Sequence, residues 1–321
     1  MRRFEGGVYS FRTMPSSGRL LALLLLSLAV LLALGAGCGS DESGPTILVI
    51  DQNILHGFLD EDPEAQPNDR VDERIQLLAD ALAAERPDII ALQEVLTQFD
   101  EPYPDVRTIL MEALGPEYTS VFGSLTGEPI DTVGLGQLTI TRLPVLSSEN
   151  HHIGGVRAVH RVTVQSDDGP IDIYNAHLEG TDDEDPQLAV DEISEVIDFI
   201  EDTRSGGPVI LAGDFNAVPD DPSIRTLLEA GFIDVLDEAG DATCEEAGDP
   251  GCTNSTIPLA DPALKASRRI DFMFVLDGDE VRLDPKDAEL FLNAAVDIGG
   301  GEFLWASDHI GVRAVLELKS K

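Results

Sequence analysis

Residues 209–217 read Val-Ile-Leu-Ala-Gly-Asp-Phe-Asn-Ala. An apolar run that stops at Gly and continues into Asp and Asn suits a strand buried on both faces that delivers polar side chains to the rim of a sheet. The pattern recurs outward in both directions. Toward the N-terminus, Ile47 to Ile54 carries Asn53 near its end, and Asp88 to Val95 places Glu94 after Ile89-Ile90-Ala91-Leu92. Leu138 to Arg142, Val159 to Gln165 and Ile171 to His177 are further strand candidates, the last ending on His177. Toward the C-terminus, Ile270 to Val275 carries Asp271 near its start, and Ser307-Asp308 leads into His309 to Leu318. Strand ends on one rim share a pocket even when they are far apart in sequence. Taken singly, each residue has an ordinary explanation, since Asn and Asp cap turns and a lone His is commonly solvated or satisfied. Their joint placement is what points to a site.

Helical periodicity fills the gaps. Val71, Ile75, Leu78 and Leu82 share one face of a helix expected from about Asp69 to Glu85, stopped by Pro87. A second helix is expected from about Gln187 to Arg204, ahead of Gly206-Gly207-Pro208. A third opens on Asp221-Pro222 and closes at Gly231. The acidic, Pro-containing stretches Asp60 to Asp69 and Thr181 to Pro186 read as solvated loops.

The chain has 321 residues, 43% of them hydrophobic, enough for a sizeable core. Its 21 basic against 60 acidic residues give a formal charge of −39, a field that repels polyanions and speaks against a duplex-coating role. Aromatic residues make up only 5%, so no base-stacking platform is evident. Phosphate chemistry stays open, because a bound divalent cation inverts the local field and high salt screens the rest.

Arg2, Arg3, Arg12 and Arg19 precede an uncharged apolar run over residues 20–34, short for a bilayer span and suited to a signal-peptide core. The small residues Gly35-Ala36-Gly37 before Cys38 resemble a bacterial lipoprotein cleavage site. The expectation is a signal peptide over 1–37, lipidation of Cys38, a linker over 38–45 and one domain over 46–319. Export to a bacterial cell envelope follows, with secretion or an uncleaved anchor as alternatives, and Met14 is a second candidate start. Cys244 and Cys252 remain as a pair in a polar loop; a disulfide is permitted in an oxidising compartment, against a zinc site for which two thiols make a poor ligand set.

The motifs Asn53-Ile54-Leu55-His56-Gly57, Leu92-Gln93-Glu94-Val95, Gly136 to Arg142, Asn175-Ala176-His177-Leu178, Gly213-Asp214-Phe215-Asn216-Ala217, Arg269-Ile270-Asp271-Phe272 and Ser307-Asp308-His309 resemble, in order, those of the endonuclease/exonuclease/phosphatase superfamily. The resemblance implies an α/β fold, a four-layer α/β/β/α sandwich of two mainly antiparallel sheets with outer helices. It also implies a metal-dependent phosphoester hydrolase. By the same resemblance Asn53, Glu94 and Asp308 are the metal set, with Mg²⁺ expected and Mn²⁺ as a second cation. His309 becomes the general base, Asp271 its partner, and Asp214 with Asn216 the orienting pair for water and phosphate. His177 would donate to a phosphoryl oxygen or protonate the leaving group.

These roles fit the chemistry. Ester hydrolysis needs a cation for the phosphoryl charge, a base for water and donors for the phosphate. Oxygen ligands suit Mg²⁺, and imidazole titrates near neutrality. Arg157 is a candidate phosphate contact or an Arg snorkelling over a core edge. His56, His151, His152 and His160 have no matching motif and read as structural or exposed. Gln137 stands where many relatives have Asn, and Asp51-Gln52 where Thr and Tyr are more frequent. His177 in its Asn-Ala-His-Leu setting is closer to the phosphatase, sphingomyelinase and deoxyribonuclease branches than to the abasic-site enzymes. Expected partners are a phosphoester substrate (nucleic acid, phospholipid head group, nucleotide or inositol phosphate) and a membrane held through the N-terminal lipid, with the chain a monomer. The alternative is a surface-anchored binding module that keeps the fold without turnover.

Overall fold

The structure is a computed structural model, described here for residues 44–55, 70–97, 105–125, 134–155, 157–180, 187–255 and 259–321. The chain divides into two units, Met1–Glu42 and Ser43–Lys321, and the description concerns the second. The expected signal segment, Cys38, most of the linker and His56 lie outside the described residues.

Two six-stranded sheets carry the fold. The first runs, edge to edge, β11 (Val281–Phe291), β14 (Gly311–Ser320), β1 (Thr46–Asn53), β2 (Ile89–Thr97), β4 (Gly134–Thr141) and β3 (Thr119–Ser124). The second runs β5 (Val145–Gly154), β6 (Arg157–Ser166), β7 (Gly169–His177), β8 (Val209–Asp214), β10 (Asp271–Leu276) and β9 (Ile233–Asp234). A small hairpin pairs β12 (Val296–Gly299) with β13 (Glu302–Leu304). Within the two large sheets β1 and β2 pair in parallel, as do β7 and β8; the other pairs are antiparallel. Each parallel pair is joined by a crossover helix, α1 (Val71–Glu85) in the first sheet and α3 (Leu188–Thr203) in the second.

Alternation along the strands builds three apolar layers. Ile47 and Val49 of β1, Ala91 of β2, Ile210 and Ala212 of β8 and Met273 of β10 meet between the sheets. Ile50, Ile90 and Leu92 point the other way, onto Ile75, Leu78 and Leu82 of α1 and Val106 and Leu110 of α2 (Val106–Leu114). Leu211, Phe272 and Phe274 do the same against α3 and α4 (Pro222–Glu229). A strand covered on both faces favours apolar residues at every position, and the 209–212 run, buried throughout, has no polar alternation. The result is the four-layer α/β/β/α sandwich.

The elements differ from the sequence expectation mainly by end effects. Helix α1 starts at Val71, after Arg70 in the left-handed region, and ends at Glu85, with Arg86 beyond it in the same left-handed conformation. The expected third helix closes at Glu229, two residues before Gly231. Helix α2, with Asp105 accepting from Thr108 N at 3.3 Å and Thr108 Oγ1 at 3.1 Å, lies outside the expected set, as does the short α5 (Val235–Ala239). So do β3, β5, β9 and β11, which form the four sheet edges. Edge strands are half covered and lack the continuous apolar run; β5 is exposed or half-buried along its length.

Candidate active site

Parallel β1 and β2 in one sheet and β7 and β8 in the other bring Asn53, Glu94, His177 and Asp214 to one rim. Local backbone devices aim the side chains. Glu94 has φ 59° at a register shift between Leu92 and Val95, a bulge that turns its carboxylate away from the alternation. Gly213 has φ 149°, and a Cβ there would strike the Ala176 carbonyl, so Gly allows β7 and β8 the close approach that sets His177 beside Asp214. Asn216 follows with φ 48°, its N–H donating to Asp214 Oδ1 at 2.9 Å and its amide to the Leu178 carbonyl at 3.0 Å.

Beneath the rim a buried polar bridge joins the sheets. The amide nitrogen of Gln93 donates to Asp51 Oδ1 and to Asn175 Oδ1, both at 2.8 Å. Gln93 adjoins Glu94 and Asn175 lies two residues before His177, so the bridge sets the spacing of both halves of the site. Arg74 of α1, fully buried, donates to the carbonyls of Ile54 and Ala306 at 2.8 and 3.0 Å, holding the chain just after Asn53 and just before Ser307.

The Asn53 amide donates to Glu94 Oε1 and Asp214 Oδ2, both at 3.0 Å. His309 Nδ1 lies 2.9 Å from each Asp271 oxygen, while His309 Nε2 is 3.7 Å from Asp214 Oδ2 and 3.2 Å from the Asn254 amide nitrogen. His177 Nε2 is 3.6 Å from Asp214 Oδ2 and 4.0 Å from Glu94 Oε1, and it accepts from Arg157 Nη1 at 2.8 Å. Arg157 Nε also donates to Glu179 at 2.8 Å. Asp308 is held by Ser307 Oγ at 3.3 Å. Its pKa is raised, first by burial, and Glu94 is close enough to add to the shift.

The two histidines are driven apart. Burial and then Arg157 lower His177 from 6.5 to about 4, so it is neutral at pH 7 with its Nε2 lone pair facing the guanidinium. Burial would lower His309 too, but Asp271 and Asp214 overcome it and raise the imidazole well above 6.5. Asp214 is itself raised, by burial first.

Among the described residues, two groups place potential ligand atoms within 4.8 Å of one another: Glu94 with His177 and Asp214, and Asp214 with Asp271 and His309. The donor set fits a hard cation. In the first group two carboxylates converge on the Asn53 NH₂ group, whose Oδ1 accepts from Leu55 N–H at 3.0 Å, and with the His177 lone pair engaged by Arg157 the ligand atoms left there are the oxygens of Glu94 and Asp214. Asn53 and Glu94 are brought together, with Asp214 beside them, while Asp308 belongs to neither group. Asn254 was missed; its polar setting, Thr253-Asn254-Ser255 directly after Cys252, is the only sequence signal it gives. Cys244 and Cys252 form a disulfide. Of the histidines without a motif, His160 is fully buried, whereas His151 pairs with Glu195 and stacks on Phe199.

Residues 52–309 match the Endonuclease/Exonuclease/phosphatase family. The chain belongs to that family. A Drosophila melanogaster protein named "Putative neutral sphingomyelinase" is 29% identical over 267 residues, covering 76% of this chain and 56% of its own length, so this chain spans about half of that relative. A Bacteroides thetaiotaomicron structure of the Endonuclease/Exonuclease/phosphatase family superposes with TM-score 0.65 at 17% identity, over 85% of this chain and 98% of that one. D. rerio TDP2, "complexed with single strand DNA product", does so with TM-score 0.62 at 21% identity, over 84% and 98%. At these identities the two solved structures speak for the fold.

Proposed function

We propose that this chain hydrolyses phosphodiester bonds with Mg²⁺ or Mn²⁺ held by the carboxylates of Glu94 and Asp214 and by the Asn53 carboxamide turned to present its oxygen, with Asp308 in the surrounding shell. The observation that carries the reading is His309, anchored at Nδ1 by Asp271 and presenting Nε2 toward the same Asp214 carboxylate that faces Glu94 and His177. Asp271 fixes the proton on Nδ1, and the Nε2 lone pair, met by the Asn254 amide at 3.2 Å, would take a proton from a water that displaces that amide. The bound cation would neutralise charge on the phosphoryl oxygens and offset the carboxylates that raise His309. Arg157 keeps N–H groups free of His177 and Glu179 at the rim, and with Asn216 it would grip the phosphate. Neutral His177 then serves as the acceptor that orients Arg157.

The substrate class draws support from the relatives: one is named for sphingomyelin cleavage and one is complexed with single-strand DNA product. Nucleic acid, phospholipid head groups, nucleotides and inositol phosphates are therefore the panel to compare. The chain acts, in this proposal, as a monomer exported to a bacterial envelope and tethered through a lipid on Cys38; the disulfide supports an oxidising compartment. Mass spectrometry of the native N-terminus should find diacylglycerol on Cys38, and an unmodified terminus would refute the tether. For the activity, mature protein should hydrolyse bis(p-nitrophenyl) phosphate with Mg²⁺ or Mn²⁺ and stop with EDTA. Hydrolysis that persists in EDTA, or in Glu94→Ala, would overturn the assignment.

A further inference from the structure

Directly after the disulfide, residues 253–255 run between two segments that carry the site. Thr253 is fully buried; its Oγ1 accepts from the backbone N–H groups of Ile270 and Asp271, both at 3.1 Å. Asn254 bridges Arg268 on one side and His309 on the other, its N–H donating to the Arg268 carbonyl at 2.9 Å and its carbonyl accepting from Ser267 N–H at 2.9 Å. Ser255 N–H donates to the Asp308 carbonyl at 2.9 Å. Cys252, fully buried with Leu259, Trp305 and Ile310, anchors the segment from its N-terminal side and is bonded to Cys244. The Asn254 backbone is therefore fixed on both sides, and the side-chain nitrogen Nδ2 of Asn254 stands 3.2 Å from His309 Nε2.

A ring held at one nitrogen can still rock about its Cβ–Cγ bond; a second partner at the opposite nitrogen removes that freedom. Asp271 is the first partner, and Asn254 is placed to be the second. A carboxamide suits the position, because it presents a donor and an acceptor and meets the ring nitrogen with or without its proton. We propose that Asn254 is a positioning residue that fixes the direction of His309 Nε2, and that the Cys244–Cys252 bridge braces the loop presenting it. The kinetic consequence rests on the hydrolase reading; the ring orientation does not.

The experiment uses the full chain as wild type, Asn254→Ala and the double variant Cys244→Ser/Cys252→Ser. Hydrolysis of bis(p-nitrophenyl) phosphate with Mn²⁺ is measured alongside ¹⁵N NMR of the His309 ring, assigned with His309→Gln. Asn254→Ala should lower kcat by about ten- to a hundredfold with KM little changed, and should move or broaden the Nε2 resonance. The cysteine variant should shift both in the same direction by less. Unchanged kcat in Asn254→Ala, or an unmoved Nε2 resonance, overturns the proposal. If wild type hydrolyses no ester yet the resonance moves, the hydrolase reading fails and the positioning stands. Should Asn254→Ala fail to fold, Asn254→Ser keeps the backbone bonds, shortens the side chain below reach of the ring and is read in the same way.

Discussion

His177 and His309 both approach one carboxylate oxygen, 3.6 and 3.7 Å from Asp214 Oδ2, and their protons behave in opposite ways. The difference comes from what stands behind each ring. A guanidinium behind His177 adds to burial and empties it of its proton, whereas carboxylates behind and beside His309 overcome the same burial and fill it. Residue type alone therefore says little about role; the charge of the nearest buried neighbour decides it. The side that gathers a proton suits the base, and the side that sheds one suits the binding of an anion.

The comparison breaks most visibly at His309. Replacing it with Gln should lower kcat by about 10²- to 10⁴-fold with folding intact, and a variant within a factor of a few of wild type would remove the base from that side. Because Asp271 and Asp214 raise His309, kcat/KM should climb as pH rises above 6.5 and the imidazole gives up its proton, a limb that His309→Gln lacks. Asp271→Asn keeps the shape but changes which ring nitrogen carries hydrogen, with an expected loss of about ten- to a hundredfold. On the other side, Arg157→Ala should raise KM by about tenfold, the worth of a charge-assisted phosphate contact, and leave kcat nearly alone. The same variant should move the His177 titration upward from about 4, which NMR can follow; a fixed value would mean that burial alone sets it.

How much of this was legible in sequence follows from coverage. Every interior strand of both sheets announced itself, some by an apolar run such as 209–212 and others, such as β7, by apolar residues alternating with polar ones, although the structure buries β7 on both faces and not on one. The edges did not. β5 mixes Leu146 with Ser, Glu, Asn and His, and β11 carries Pro285 where its register with β14 shifts, so neither shows a clean period. Helix α2 is short, yet Asp105 with Thr108, and Val106, Leu110 and Leu114 at four-residue spacing, did carry its cap and face. In the site, side chains on strand ends were legible as motifs. What was not legible was the pairing across sheets: the Gln93–Asn175 bridge, the Arg157–His177 contact and Asn254 on His309 depend on distances between segments that sequence spacing does not encode.

A further expected effect is thermodynamic and tests the His177 side without any substrate. Between the ordinary value of 6.5 and about 4 the unfolded chain carries a proton on this ring that the folded chain refuses. Stability that depends on neutral His177 is thus fully present above 6.5 and is lost as pH falls toward 4, by at most about 1.4 kcal/mol per pH unit. His309 has the opposite sign: its folded form holds the proton more tightly, so its contribution is present below 6.5 and fades as pH rises through its elevated pKa. Buried Asp214 and Asp271, both raised, also favour the folded state on the acid side of their shifted values and mask the His177 slope in wild type. Comparing unfolding free energies of His177→Gln and wild type in EDTA, from pH 7 down to pH 4, removes most of that background. The variant should gain on wild type progressively below pH 6.5 and level off near 4. A difference independent of pH would mean that His177 takes up its proton in the folded chain at the same pH as in the unfolded one, and the opposition between the two imidazoles would disappear.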